Sequence, residues 1–414
     1  MKKSKSLYHD HRFPYARHWL TLRQLHTYCA ALVIAFTIYG LTSAWRAWRV
    51  YGQPNGFDFV TFWAASRLTL EGTPLKAYSR EAITHAAQSA LPHISMPGAW
   101  SYPPNFLLLV EPLGLLPCPI AYVIFVFVTS AVFVFLLRRV LPMSQAWLPI
   151  LAFPGIWLNA SYGQNGCLTA ALALAAFLLL KKRPVLAGVC VGMLSIKPHL
   201  AILFPIALAC AGMWTTFIAA AVTVVLFTGA SVAMFGMAVL PAFLHGVGEA
   251  NGRLSTGGLP WQETASLFTA LRALHVAALP AYVAQACLAI AATGTVAWVW
   301  LRSHEMDVRA MALVAGTFMV SPYIYNYDAV WLGVPIALFT ARALREGWLR
   351  WEREILCVAW LYPTLGSITG HLFNVGFGPL VFIALMFVAV RRARQEASAA
   401  AVTNRSLVDA NPGS

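Results

Sequence analysis

Apolar residues in this chain come in long runs rather than in stripes. Segments 27–46, 119–138, 146–160, 165–180, 184–196, 199–213, 215–236, 281–301, 308–322, 328–341, 354–370 and 375–391 carry little charge. Runs of this kind predict helices whose solvent is lipid. Together they predict an all-α polytopic membrane protein with about twelve transmembrane helices. Several runs fall short of the roughly 20 residues a straight span needs. Non-helical backbone survives at membrane depth only when it is buried in protein or lines a wet cavity. The short runs therefore point to a cavity cut into one face. Segment 103–117 is apolar but short, and it holds Pro112 and Pro117. It is expected to be re-entrant or interfacial.

Composition agrees with the pattern. The chain has 414 residues, 59% of them hydrophobic and 11% charged, with mean hydropathy +0.66. A soluble protein carries roughly 25% charged residues. A net charge of +14 would suggest nucleic acid in a soluble protein. Here no phosphate-binding glycine loop and no aromatic RNA-binding box accompanies it, and its distribution indicates orientation in the bilayer. With a cytoplasmic N-terminus, the outer side receives only Arg46, Arg49, Arg67, Lys76, Arg80, Lys197, Arg253 and Arg272 of the 29 Lys and Arg residues. The inner loops are short and basic and read as anchors to anionic lipid. The seven Cys residues show no metal-ligand or disulfide spacing. No cofactor is indicated, and no carboxylate pair calls for a metal. The N-terminus does not read as a cleavable signal.

These runs divide the chain into a basic cytoplasmic N-terminus (1–26), a membrane domain (27–392) and a tail (393–414) expected to be disordered and cytoplasmic. Two long outer loops interrupt the membrane domain, at 47–102 and 237–280. The first is expected to hold a short amphipathic helix on the outer leaflet, with a helical stretch from Ala64 to Leu70. The second carries Arg253, Trp261 and Glu263.

With this topology the unusual polar residues gather on the outer side. Asp58 sits between Phe57 and Phe59, at an apolar boundary. A carboxylate there is costly and is usually functional; the plain alternative is a loop acid or helix cap. Lys197, in Lys197-Pro198-His199, could snorkel to headgroups or hold a phosphate as a compact cation. His199 is a second phosphate candidate against simple packing, and Arg253 a third. Gln164 and Asn165 lie in a turn at a span end, where turn chemistry alone could explain them; with Tyr102 they are candidates for sugar or acceptor binding. Asp328 begins a span. It either caps a helix or orients Lys197 or a sugar hydroxyl. His371 reads as structural.

Taken in order, Asp58-Phe59, Tyr102-Pro103-Pro104, Gly163-Gln164-Asn165, Lys197-Pro198 and Ser321-Pro322-Tyr323 with Tyr327-Asp328 resemble glycosyltransferase family 87. That group includes mannosyltransferases acting on phosphatidylinositol mannosides. The resemblance covers roughly residues 50–340. It implies a GT-C membrane fold, a polyprenyl-phosphate sugar donor (mannose in characterised members) and Asp58 as the catalytic base. The resulting expectation is an inverting hexosyltransferase at the outer face of the plasma membrane. It would move a sugar from that donor to a lipid or glycan acceptor. The rival class is a secondary transporter or flippase, whose ionisable residues should lie near the bilayer midplane.

Overall fold

The computed structural model describes residues 20–52, 55–94, 100–258 and 260–409. Lys2, Lys3, Lys5, Arg12 and Arg17 of the predicted basic N-terminus, and the last five residues of the tail, lie outside the described residues.

The described secondary structure is helical, and each predicted apolar run coincides with helix. Five helices are long and apolar enough to cross a membrane: Leu22–Tyr51, Cys118–Val140, Trp214–Phe235, Ala278–Arg302 and Glu352–Phe373. The predicted count of about twelve is not reached on this criterion, and the reason is local. Pro154 starts a new helix inside the 146–160 run, which becomes Trp147–Leu151 and Pro154–Tyr162. The 199–213 run is split into Pro198–Ala201 and Phe204–Cys210. The run from 328 begins as a 3-10 turn, Asn326–Leu332, before Gly333–Glu346 continues as α-helix. Proline at the first helical position suits the restart at Pro154, because the missing N–H is an orphan there anyway. Segment 103–117 forms the helix Pro104–Val110 and a 3-10 turn Glu111–Leu115. At 1.5 Å per α-helical and 2.0 Å per 3-10 residue these twelve residues reach about 20 Å, short of a hydrocarbon core about 30 Å thick.

Two hydrophobic clusters organise the molecule. The larger is built around the helix Met306–Val320, buried along almost its whole length. That helix packs between Ala278–Arg302 and Gly378–Asp409. The smaller cluster gathers Phe59, Phe62, Trp63, Trp100, Phe106, Tyr122 and Phe125.

One expectation is corrected here, and two further segments gain detail. The Ala64–Leu70 stretch belongs to a longer helix, Phe57–Leu70, which is buried from Phe59 to Ala65 and does not lie on the surface as an amphipathic helix. It packs against the Pro104–Leu115 segment and helix Arg80–Ala90, so its polar-looking loop context concealed a protein environment. The 237–280 loop is largely helical, as Val239–Thr256 and Leu267–Ala273. The final helix runs to Asp409, through the segment expected to be a disordered tail. Glu396 fastens it, accepting from Arg342 at 2.7 Å and from Ser303 at 2.6 Å, and the Ala-rich sequence favours helix.

The polar groups sit at opposite ends of the large cluster. Helix Met306–Val320 has Asp307 and Arg309 at its start and the Ser321–Asp328 turn after its end, about 22 Å away at 1.5 Å per residue. At the starting end Arg342 reaches Asp307 at 3.5 Å and Glu346 at 2.6 Å. Nearby, Arg392 holds Glu352 through two bonds, of 2.8 and 2.6 Å. Arg309 and Arg392 are buried. Arg309, Arg342 and Arg392 therefore fasten helices together.

Candidate functional site

Asp58 lies in the first turn of helix Phe57–Leu70, where the helix dipole favours an anion. Two close glycine contacts bring it to its partners. Gly56, at φ 74°, starts the helix, and its N–H donates to the Ser161 carbonyl at 3.0 Å. Gly163, at φ 71°, ends helix Pro154–Tyr162, and a Cβ there would lie 2.6 Å from Phe59 Cβ. The turn that follows presents Gln164. Gln164 Nε2 donates to Asp58 Oδ2 at 2.9 Å, and Gln164 Oε1 accepts from the Tyr102 hydroxyl at 2.9 Å. Tyr102 is set by ring contacts with Phe106 at 5.0 Å, Trp100 at 5.2 Å and Phe62 at 5.3 Å. Asp58, Gln164 and Tyr102 thus form one relay. Burial pushes the Asp58 pKa above the ordinary 3.8; the Gln164 hydrogen bond and the Lys197 charge pull it back. Asp58 itself is only half-buried.

Beside this relay lies a second polar pair. Lys197, almost completely buried, contacts Asp328 Oδ1 at 2.5 Å. Asp328 Oδ2 also accepts the Tyr325 N–H at 3.2 Å. Asp328 therefore does both things the sequence offered as alternatives: it closes a capping turn and holds Lys197. The Lys197 ammonium stands 5.0 Å from the Tyr327 ring centre. Tyr325 stacks on Tyr327 at 5.1 Å with rings nearly parallel, and Tyr162 packs on Tyr327 at 5.4 Å.

The remaining predicted residues fall in different places. Arg253, on helix Val239–Thr256, is half-buried; its Nε has no hydrogen-bond partner, and its charge acts on Tyr325. His199 is half-buried too, with Nε2 buried and unpartnered. Asn165 is fully buried, and neither side-chain atom finds a partner.

Two cleft residues were not singled out from the sequence. Glu263 faces the Tyr162 hydroxyl, and His371 Nε2 lies 3.9 Å from Glu263 Oε1. Burial raises the Glu263 pKa and the neighbouring Asp58 charge adds to it, while His371 and Tyr162 oppose the shift. Tyr325 enters because its strand-like stretch pairs with the Glu263 loop: Ala265 N–H donates to Ile324 O at 2.7 Å, next to a bridge between Thr264 and Tyr325. Only this long-range pairing joins residues some sixty positions apart, and no local pattern announces it.

An all-helical membrane protein with a cluster of polar side chains between two apolar cores is the class this structure defines. The family model described as Glycosyltransferase family 87 matches residues 100–322 of the 414-residue chain. The chain belongs to that family and is a membrane glycosyltransferase. No curated protein and no solved structure matches it. The matched region contains Tyr102, Gln164, Asn165, Lys197, His199, Arg253 and Glu263; Asp58 and Asp328 lie outside it.

Proposed function

We propose that this glycosyltransferase moves a hexose, with mannose the first candidate, from a polyprenyl-phosphate donor to a hydroxyl of a lipid or glycan acceptor. Transfer takes place at the outer face of the plasma membrane, on a GT-C architecture, and it inverts the anomeric centre. The observation that carries this reading is the Asp58 carboxylate. It is half-buried at a helix start, with one oxygen held by Gln164 and the other available to the acceptor. Asp58 takes the acceptor hydroxyl proton. The hydroxyl oxygen bonds to the anomeric carbon as the bond from that carbon to the phosphate oxygen breaks, and polyprenyl phosphate leaves. Base assistance of this kind contributes about 10²–10⁴-fold.

Lys197, His199 and Arg253 are assigned to the donor phosphate: Lys197 and Arg253 as fixed cations that stabilise the growing charge at the leaving oxygen, and His199, which burial and the Lys197 charge keep neutral, as a hydrogen-bond donor. The Lys197 charge is already balanced by Asp328. Arg253 therefore supplies the uncompensated positive charge. Tyr102 and Gln164 orient Asp58 and a sugar hydroxyl. Asp328 acts through Lys197, and Asn165 supports the Gln164 turn from behind. The short helix Gly166–Leu179, about 21 Å long at 1.5 Å per residue, is shorter than a hydrocarbon core about 30 Å thick, which supports a site recessed below the membrane surface. A lipid-borne sugar reaches such a depth more readily than a soluble nucleotide sugar. The test offers radiolabelled mannose on polyprenyl phosphate, and separately on a nucleotide, to membranes containing the protein. Label should pass to an endogenous lipid or glycan from the polyprenyl donor alone. Transfer directly from the nucleotide sugar, with polyprenyl-donor synthesis blocked, would overturn the proposal.

A further inference from the structure

A groove of about 630 Å³ lies between helices Ala278–Arg302, Met306–Val320 and Gly378–Asp409. One face of the last helix forms most of its wall: Ile383, Met386, Phe387 and Val390, then Arg391, Arg394, Gln395 and Ser398. The spacing is that of a single helical stripe, and its chemistry changes halfway. The first four positions are apolar and face Met319 and Thr295; the last four are basic or neutral polar, with no acid among the lining residues. From Ile383 to Ser398 the stripe runs about 22 Å at 1.5 Å per residue. One bilayer leaflet with its headgroups is about 20–22 Å deep.

The polar end is built to keep a positive charge. Among the described residues Glu352 is the carboxylate paired with Arg391, at 3.1 Å, and the same carboxylate is bonded twice by Arg392. Two guanidinium groups therefore share a single negative charge, and the Arg391 Nε is buried without a hydrogen-bond partner. Arg394 is exposed and makes no ion pair among the described residues. This end lies with Ser303 and Arg342, at the other end of the molecule from Asp58. A polyprenyl-phosphate donor bound there would hold its phosphate far from the cleft.

We propose that the groove holds one anionic phospholipid. An acyl chain lies along Met319, Ile383, Met386 and Phe387, and the phosphate is held by Arg391 and Arg394. A zwitterionic lipid fills the same apolar half but carries a cationic headgroup toward two arginines, so the polar half selects against it. Bulk solvation of the apolar surface would show no such selection. The site is independent of the sugar-transfer reading, because none of its residues lines the Asp58 cleft.

The test is native mass spectrometry of the full chain in detergent, titrated with phosphatidylglycerol or phosphatidylcholine of identical chains. One phosphatidylglycerol should be retained at concentrations where phosphatidylcholine is lost. Arg394→Gln should weaken retention about fivefold, and Arg391→Gln with Arg394→Gln about 25-fold. Arg391 also touches Glu352, so the double variant could disturb folding. Ser398→Glu and Arg394→Gln alter exposed positions only and carry the decision. Thr295→Trp, which fills the apolar half, should abolish retention with both arginines in place. Equal retention of the two lipids, or phosphatidylglycerol retention unchanged by both Arg394→Gln and Ser398→Glu, would overturn the proposal.

Discussion

A carboxylate works as a base only while ionised, and the surroundings of Asp58 pull that equilibrium in two directions. Burial favours its neutral form; the Gln164 amide and the Lys197 charge favour the anion. Removing the Gln164 amide takes away a stabiliser of the charged form, so the Asp58 pKa must rise further. Gln164→Ala should therefore move the acid limb of kcat/KM to higher pH, beyond whatever rate it costs by releasing Tyr102. Paired pH–rate profiles of wild type and variant read this directly; an acid limb that stays put or moves down would exclude the relay. The sequence made Asp58 legible because an acid between two phenylalanines is expensive to keep near lipid. It offered Lys197 with Asp328 only as one of several alternatives, since 131 positions separate them and no local pattern joins them. Asn165 was less legible: its turn chemistry looks the same whether its side chain faces a ligand or the protein interior.

At the scale of elements, two junctions carry the site. The first is the contact between the Phe57–Leu70 helix start and the Gly163 turn. Gly163→Ala places a Cβ 2.6 Å from Phe59 Cβ at a residue with φ 71°. Backbone strain of this kind costs about 1–3 kcal/mol. A lower thermal midpoint is expected, with a larger loss of turnover because Gln164 shifts from Asp58. Normal turnover would show that the junction does not set the site. The second junction is the Lys197–Asp328 pair, which ties the turn before Pro198 to the turn Asn326–Leu332. Lys197→Met leaves Asp328 buried and unpaired, a loss of about 3–5 kcal/mol. It should weaken folding and transfer together. Arg253→Gln should leave stability nearly unchanged and lower donor affinity about ten- to a hundredfold, the worth of a charge-assisted hydrogen bond. Thermal midpoints measured beside donor-dependent kinetics separate the two; normal donor affinity in Arg253→Gln would remove it from the phosphate site. Helix existence was readable throughout from apolar runs. Helix burial was not, because Phe57–Leu70 owes its environment to Pro104–Leu115 and Arg80–Ala90, and composition does not say which neighbour covers an apolar face.

For the molecule as a whole, the bias of basic residues along the sequence and the shape of the fold separate the same two ends. Helix Gly166–Leu179 follows Gln164 and precedes Lys181 and Lys182, just as Met306–Val320 runs from Arg309 toward Asp328. The cleft and the inner basic network are therefore a helix length apart. Sidedness is tested by single cysteines in a background without the seven native ones. Gly252 and Lys182 are both exposed, whereas Lys197 is too buried to report. An impermeant thiol reagent added outside intact cells should label Gly252→Cys and spare Lys182→Cys. The reverse pattern would place the cleft inside. The apolar runs anticipated a helical membrane protein. They did not show where a run breaks, because one interrupted at Pro154 or before Phe204 looks continuous to hydropathy.

Transfer by purified Asp58→Asn tests the central claim most directly. The amide keeps size and polarity but cannot take the acceptor proton. With polyprenyl-phosphate-mannose saturating, turnover should fall by about two to four orders of magnitude while the thermal midpoint stays near that of wild type. Turnover within a few-fold of wild type in a folded Asp58→Asn would contradict the assignment of Asp58 as the base.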